Sequence, residues 1–144
     1  MSQLDADARL PQIGFAADHE RLYTRTNGTE GHIWNGVPTL LLTTLGRRSG
    51  QPYRTPLIYG MDGDRYVVVA SKGGAPSHPA WYLNLAEHPT VKLQVGGEVF
   101  TASARTSPPE ERARLWPAMT KIWPDFDSYQ AKTGREIPVV VFER

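Results

Sequence analysis

The sequence contains no cysteine, no long apolar run and no excess of either charge. The lack of cysteine excludes disulfides, thiolate nucleophiles and cysteine-ligated zinc, and it fits a reducing cytoplasm. No window reaches the roughly 20 apolar residues that span a bilayer, and the first twenty residues lack the apolar core of a secretory signal. Sixteen Lys and Arg balance fifteen Asp and Glu, which argues against a nucleic-acid partner. We therefore expect a cytoplasmic protein.

Several catalytic motifs are also absent. The four histidines form neither an H-E-x-x-H motif nor a close pair, so we expect no metal site. The Walker and Rossmann spacings do not occur, and no G-x-S-x-G elbow supports a Ser-His-Asp hydrolase. These absences argue against the common metal-dependent, nucleotide-binding and hydrolase classes of enzyme.

The most informative segment is residues 40–57, in which an apolar run ends in Gly46-Arg47-Arg48-Ser49-Gly50 and a second strand-like run begins at Arg54. Two arginines, a hydroxyl and flexible backbone between strands can hold a phosphate or carboxylate. The guanidinium fork matches such oxyanions, and glycine lets backbone N–H groups approach them. A solvated hairpin turn is the alternative interpretation.

Two further segments are candidate ligand sites. A valine-rich strand, expected to be buried on both faces, ends in Ala70-Ser71-Lys72-Gly73-Gly74, where a flat ring can lie against backbone. A plain strand-to-helix connection is the alternative. A helix that begins at Pro79 places Trp81 and Leu85 in the core as i,i+4 neighbours. The aromatic residues that follow either join the core or line a lid over an apolar pocket: Trp116, Trp123, Phe126 and Tyr129.

The hydrophobic pattern predicts about six strands, mostly in hairpins, and two to four helices. Residues 1–14 are expected to form a flexible arm and residues 15–144 one domain. One strand is predicted over 54–61, and Ser107 is predicted to cap a helix that runs to about residue 123 and is kinked or split at Pro117. Hairpins in a chain of this length favour an α+β, mainly β fold built on a small antiparallel barrel.

Six segments, in the order of the family, resemble the deazaflavin-dependent nitroreductase and quinone reductase family. They cover the chain from about residue 37 to its end: LLLTTLGRRSG, RTPLIY, VVVASKGGAPSHPAWYLNL, PTVKLQVGG, EERARLW and IPVVVFE. The resemblance implies a split β-barrel of the FMN-binding, pyridoxamine-phosphate-oxidase type that holds the 8-hydroxy-5-deazaflavin coenzyme F-420. It implies an oxidoreductase that transfers hydride from the reduced coenzyme to a small acceptor, namely a quinone, a nitroaromatic or an activated enone. A non-catalytic F-420 carrier and an FMN-dependent reductase are the alternatives.

The resemblance also assigns residues to a groove. The phosphate and acidic tail of the coenzyme would meet Arg47, Arg48, Ser49, Gly50 and Arg54. The ring would lie against Pro56, Leu57, Ala70, Ser71, Lys72 and Gly73. The groove would be completed by Pro79, Trp81, Tyr82, Asn84 and Leu85.

The resemblance gives two residues catalytic roles: Ser71 would hydrogen-bond the acceptor, and Tyr129 would orient it or deliver a proton. The substrate pocket would be lined by Ile58, Trp123, Phe126 and Tyr129. The first three stand where the best-known nitroreductase pattern has tyrosines, which implies a wider, less polar pocket. Because quinones reside in lipid, peripheral contact with the inner face of the membrane stays open, as does the choice between monomer and dimer.

Overall fold

The computed structural model describes residues 14–34 and 36–144. The flexible arm predicted for residues 1–14 lies outside the described residues, apart from Gly14, which begins the first helix. In the described part of the chain, eight strands form one antiparallel sheet. In chain order they are β1 Ile33–Trp34, β2 Val37–Leu45, β3 Pro52–Ile58, β4 Gly60–Asp62, β5 Arg65–Val69, β6 Thr90–Val95, β7 Glu98–Thr106 and β8 Val139–Glu143.

Four α-helices accompany the sheet in the described residues, together with a short 3-10 turn at Lys72–Gly74. They are α1 Gly14–Arg25, α2 Ala80–Glu87, α3 Pro109–Ile122 and α4 Asp125–Lys132. No helix among the described residues is long and apolar enough to cross a membrane.

The strand order is β1-β2-β6-β7-β8-β5-β4, with β3 on the edge of β2 opposite β6. The sheet curls because successive twisted strands rotate in one direction, which turns a sheet of this width toward a barrel. Strand β8 lies between β7 and β5 and pairs Val139 with Val69 and Phe142 with Tyr66. It joins two parts of the sheet that are far apart in the sequence.

The valine run of β5 is buried on both faces, as predicted, and that of β8 is buried in the same way. Val68 and Val140 point into the barrel core with Leu40 and Phe142. Val67 and Val69 point to the opposite face, where α3 and α4 cover them. These strands have unbroken apolar sequences because the sheet carries a packed layer on each of its faces.

The strand predicted over 54–61 is two strands. Strand β3 pairs with β2 as far as Ile58, whereas β4 pairs with β5 from Gly60 onward. The chain changes partner at Tyr59, whose N–H donates to the carbonyl of Pro38 at 3.2 Å and whose ring is buried. An apolar run cannot reveal such a change of partner.

The predicted Ser107 cap is wrong, and α3 is not split at Pro117. Pro108 occupies the N-cap position, so Ser107 stands one residue too early to cap, and its hydroxyl is buried without a hydrogen-bond partner in the described residues. Pro117 lies inside an unbroken helix, on its exposed side. Packing of Leu115 and Met119 against the sheet holds the helix together across this residue.

Candidate functional site

Two pockets meet at Trp81, which lies in the first turn of helix α2. The first has a volume of about 320 Å³ and the second about 350 Å³, and the Trp81 side chain lines both. The first is lined by Gly46, Arg47, Arg48, Ser49, Tyr53, Arg54, Thr55, Ala80, Trp81 and Asn84. The second is lined by His19, Trp34, Thr39, Pro56, Leu57, Ile58, Val69, Ser71, Lys72, Gly73, Pro79, Trp81, Trp123, Phe126 and Tyr129. We call them the arginine pocket and the aromatic pocket.

The arginine pocket is built on the tight turn between β2 and β3. The Gly46 N–H donates to the Gln51 carbonyl at 2.7 Å, and the Gly50 N–H donates to the Gly46 carbonyl at 2.9 Å. Gly50 has φ +69°, which glycine adopts without strain. The turn carries Arg48 and Ser49 on its exposed side. Cationic side chains and a hydroxyl therefore surround this pocket.

Asn84 of α2 fixes the first of the two arginines. Its side chain is 5% exposed, and its Oδ1 accepts from the backbone N–H of Arg47 at 3.1 Å and from Arg47 Nη1 at 3.0 Å. Its Nδ2 donates to Thr44 Oγ1 at 3.3 Å. Asn84 thus acts on the pocket by orienting Arg47, because its carbonyl oxygen and amide are already engaged.

The aromatic pocket lies between strand ends and helix α4. Pro56 and Leu57 of β3 form one side, and the turn after β5 supplies Ser71, Lys72 and Gly73. Phe126 and Tyr129 of α4 also line the pocket. The walls are mostly apolar, with few polar groups, as in most sites that bind a flat organic ligand.

Two hydroxyls reach this pocket. Ser71 is nearly buried, and no described residue hydrogen-bonds its Oγ, so the hydroxyl is available to a ligand. The Tyr129 hydroxyl accepts a hydrogen bond from Trp123 Nε1 at 3.4 Å. Because the oxygen acts as the acceptor in that contact, its own hydrogen is available to donate.

Sequence reasoning missed one wall of the aromatic pocket, which the amino-terminal part of the chain supplies. His19 of α1 stacks on Trp34 at 6.0 Å between ring centroids, and Trp34 lies 5.7 Å from Trp123. His19 Nε2 lies 2.7 Å from the Gly31 carbonyl oxygen and 3.3 Å from Thr39 Oγ1. Trp34 belongs to a two-residue strand that has no periodic pattern in the sequence, so only its tertiary position shows its role.

The structure brings most of the predicted groove residues to these two pockets and leaves four outside their linings. Ala70 and Leu85 are buried in the barrel core. The Tyr82 hydroxyl lies 2.9 Å from Thr106 Oγ1. Gly50 shapes the turn without lining the pocket. All four predicted substrate-pocket residues line the aromatic pocket: Ile58, Trp123, Phe126 and Tyr129.

The curled antiparallel sheet, with an arginine-rich turn on one side of Trp81 and an apolar pocket on the other, has the fold of the split β-barrels. A solved putative pyridoxamine 5'-phosphate oxidase from Listeria innocua is similar in fold alone. It has a TM-score of 0.51 and 13% identity, over 72% of this chain and 81% of that one. The predicted split-barrel fold is confirmed.

Residues 16–144 match the family model for F420H(2)-dependent quinone reductase. An F420H(2)-dependent quinone reductase of Mycobacterium tuberculosis is 43% identical over 130 residues, covering 88% of this chain and 87% of the relative. A solved F420-H2 dependent reductase is 41% identical with a TM-score of 0.69, over 74% of this chain and 94% of that chain. A structure described as a domain-swapped dimer is 37% identical with a TM-score of 0.71, over 88% and 96%.

The chain belongs to the F420H(2)-dependent quinone reductase family. This confirms the predicted family, the predicted oxidoreductase class and coenzyme F-420 as the cofactor.

Proposed function

We propose that this chain binds reduced F-420 along the groove formed by the two pockets and reduces a quinone in the aromatic pocket. The observation that carries this proposal is that Trp81 lines both a cationic pocket and an apolar one, so the two pockets adjoin. The coenzyme has the same two-part chemistry, with a polyanionic tail and a flat ring. The arginines of the first pocket suit the tail, and the apolar lining of the second pocket suits the ring.

We propose that the arginine pocket binds the tail. Arg47, Arg48 and Arg54 line it, and phosphate and carboxylate oxygens form their strongest hydrogen bonds with such charged donors. Asn84 holds Arg47 before any ligand arrives, so less side-chain freedom is lost on binding. This pocket therefore sets cofactor affinity.

We propose that the aromatic pocket holds the ring and the acceptor. Pro56, Leu57 and Pro79 supply apolar surface, which favours a flat ring over water. Trp34 and Trp123 pack together on the other side and keep water from the reacting atoms. The residues of this pocket therefore select the acceptor.

When bound, the reduced coenzyme supplies a hydride, and a quinone that takes up this hydride and one proton becomes the hydroquinone. In the proposal, the unengaged hydroxyl of Ser71 hydrogen-bonds one acceptor oxygen. Tyr129 donates a hydrogen bond to the acceptor and holds the proton at its Oη, while the Trp123 indole fixes that oxygen at 3.4 Å.

The test mixes the purified protein with reduced F-420 and the quinone menadione, and it follows the absorbance of the oxidised coenzyme against a protein-free blank. We expect turnover with the quinone. Equilibrium dialysis with F-420 and, separately, with FMN measures which cofactor binds. Tight F-420 binding without turnover of quinone, nitroaromatic or enone acceptors would support a carrier instead, and preferential binding of FMN would contradict the cofactor assignment for this chain.

A further inference from the structure

The turn that lines the aromatic pocket has an unfavourable backbone conformation. Lys72, Gly73 and Gly74 have φ values of +47°, +63° and +84° in succession. Lys72 carries a side chain, and a non-glycine residue in this region of backbone space is strained. Two backbone bonds close the turn, from Gly74 N–H to the Ser71 carbonyl at 2.9 Å and from Ala75 N–H to the Lys72 carbonyl at 3.1 Å. Such a turn persists only where its surroundings hold it.

Arg135 holds both ends of this turn with one guanidinium group. Its Nη2 donates to the Ser71 carbonyl at 2.8 Å, and its Nη1 donates to the Ala70 carbonyl at 3.3 Å. Its Nε donates to the Ala75 carbonyl at 2.8 Å. Arginine has five donors in a rigid plane, so it can bridge carbonyls on two sides of a turn, which a lysine ammonium cannot do with the same geometry.

The fourth partner of Arg135 is a histidine. Arg135 Nη1 lies 3.0 Å from His78 Nδ1, and partial burial together with the positive charge of Arg135 lowers the pKa of His78. The neutral imidazole therefore accepts the hydrogen bond. The pKa of Arg135 is itself lowered by burial. No carboxylate whose side chain the structure describes lies within 4 Å of its guanidinium.

The backbone of Arg135 is attached to helix α4, which also lines the aromatic pocket. Gln130 of α4 donates from Nε2 to the Arg135 carbonyl at 2.8 Å, and its Oε1 accepts from the Ile137 N–H at 2.9 Å. On the same side, a Cβ placed on Gly74 would lie 2.8 Å from the Tyr129 carbonyl oxygen, so the turn packs directly on α4. Arg135 thus joins the two elements that carry Ser71 and Tyr129.

We propose that Arg135 is a positioning residue that sets the separation of the Ser71–Gly73 turn from helix α4 in the hydride-transfer site. This inference rests on the proposed function for its catalytic consequence. Arg135 lines neither the arginine pocket nor the aromatic pocket. It acts through backbone carbonyls, and tail binding by Arg47 and Arg48 does not depend on it.

The experiment compares Arg135→Lys with wild type and with Arg114→Lys, an exposed arginine on α3 outside both pockets. We expect Arg135→Lys to lower kcat for menadione by roughly 10- to 100-fold, since a shift of about 1 Å in reacting groups costs that much. Affinity for F-420, measured by equilibrium dialysis, should change less than about threefold, because the tail contacts remain. Arg114→Lys should leave both quantities unchanged.

A cofactor-free measurement separates this inference from the proposed function. Hydrogen exchange of the apoprotein should speed up at the Gly74 and Ala75 amides in Arg135→Lys, and not in Arg114→Lys. If wild type shows this protection and no turnover, the proposed function fails while the structural role of Arg135 stands. Unchanged exchange, unchanged kcat in a folded Arg135→Lys variant, or a loss confined to F-420 affinity would each overturn the inference. Arg135→Gln serves as the second variant if Arg135→Lys does not fold.

Discussion

At the scale of single residues, the proposed groove contains side chains that would contact a ligand and side chains that orient those contacts. Arg48 is exposed beside the pocket, whereas Arg47 is bound to a buried asparagine. The hydroxyl of Ser71 is unengaged among the described residues, whereas that of Tyr129 is oriented by Trp123. Substitutions of the two kinds should therefore have different kinetic signatures.

The double substitution Arg47→Ala with Arg48→Ala should weaken F-420 binding by roughly 10- to 100-fold, because two charge-assisted contacts at a partly exposed site are removed. Equilibrium dialysis at low and high salt measures the loss. Wild-type affinity should fall as salt rises, and the affinity of the variant should depend less on salt. Arg114→Ala is the control, and normal affinity in the double variant would place the tail elsewhere.

Asn84→Ala should lower both stability and F-420 affinity. It leaves the partly buried N–H of Arg47 and the buried hydroxyl of Thr44 without their partner, which costs about 1–3 kcal/mol of unfolding free energy. Thr44→Val is the matched variant, since it removes one partner of Asn84 and keeps the contact with Arg47. Urea unfolding and equilibrium dialysis should show that Thr44→Val loses stability alone. Equal affinity losses in both variants would contradict the orienting role of Asn84.

Tyr129→Phe should lower kcat for menadione by roughly 10- to 100-fold while F-420 affinity is retained, because it removes a proton donor and leaves the ring in place. Tyr66→Phe, in strand β5 and outside both pockets, is the control. Steady-state kinetics and equilibrium dialysis give the two quantities. A kcat equal to that of wild type would remove Tyr129 from the reaction.

At the scale of secondary-structure elements, helix α3 contains a helix-destabilising residue at an exposed position. Pro117 lacks the N–H that would bond to the Ala113 carbonyl and costs a helix interior about 3 kcal/mol. Pro117→Ala should therefore raise the free energy of unfolding by about 1–3 kcal/mol, as measured in urea. Pro124→Ala, at the N-cap of α4, should change it little. A less stable Pro117→Ala variant would show that the proline relieves a strain in the helix.

The elements that local sequence determines could be predicted. Those that depend on tertiary pairing with distant parts of the chain could not. Strands β2 and β5 are strongly patterned, and the arginine turn between β2 and β3 is recognisable from its glycines. The break at Tyr59 and the failed cap at Ser107 follow from tertiary pairing and packing. The wall formed by Trp34 could not be predicted because its two-residue strand exists only through pairing with β2.

At the scale of the whole molecule, an ion-pair network ties α3 to strands β4 and β7 of the sheet. Arg114 donates to both oxygens of Asp62, at 2.8 and 3.1 Å, and Arg65 donates to Asp62 at 2.6 Å. Arg105 donates to both oxygens of Glu111, at 2.6 and 3.1 Å. The hydrogen bond from Arg114 lowers the pKa of Asp62, with the charges of Arg114 and Arg65 acting in the same direction.

A carboxyl whose pKa is lower in the folded state stabilises the protein above its unfolded pKa, and this contribution is lost as the pH falls through the folded value. Asp62→Asn should therefore cost about 0.5–1 kcal/mol at neutral pH. The difference from wild type should shrink toward zero under acid conditions. Urea unfolding across this pH range is the measurement. Asp64→Asn, in the same turn and without an ion pair in the described residues, is the control, and a difference independent of pH would contradict the assignment.

The position of β8 in the sheet has a consequence for how the protein is made. Strands β5 and β7 leave the ribosome long before residues 139–143, the only described segment that pairs with both of them. Until then each has an unpaired edge, and exposed strand edges promote association between nascent chains. A chain interrupted before Val139 should therefore accumulate in aggregates, and a peptide of the β8 sequence supplied in trans would compete for the vacant position between β5 and β7.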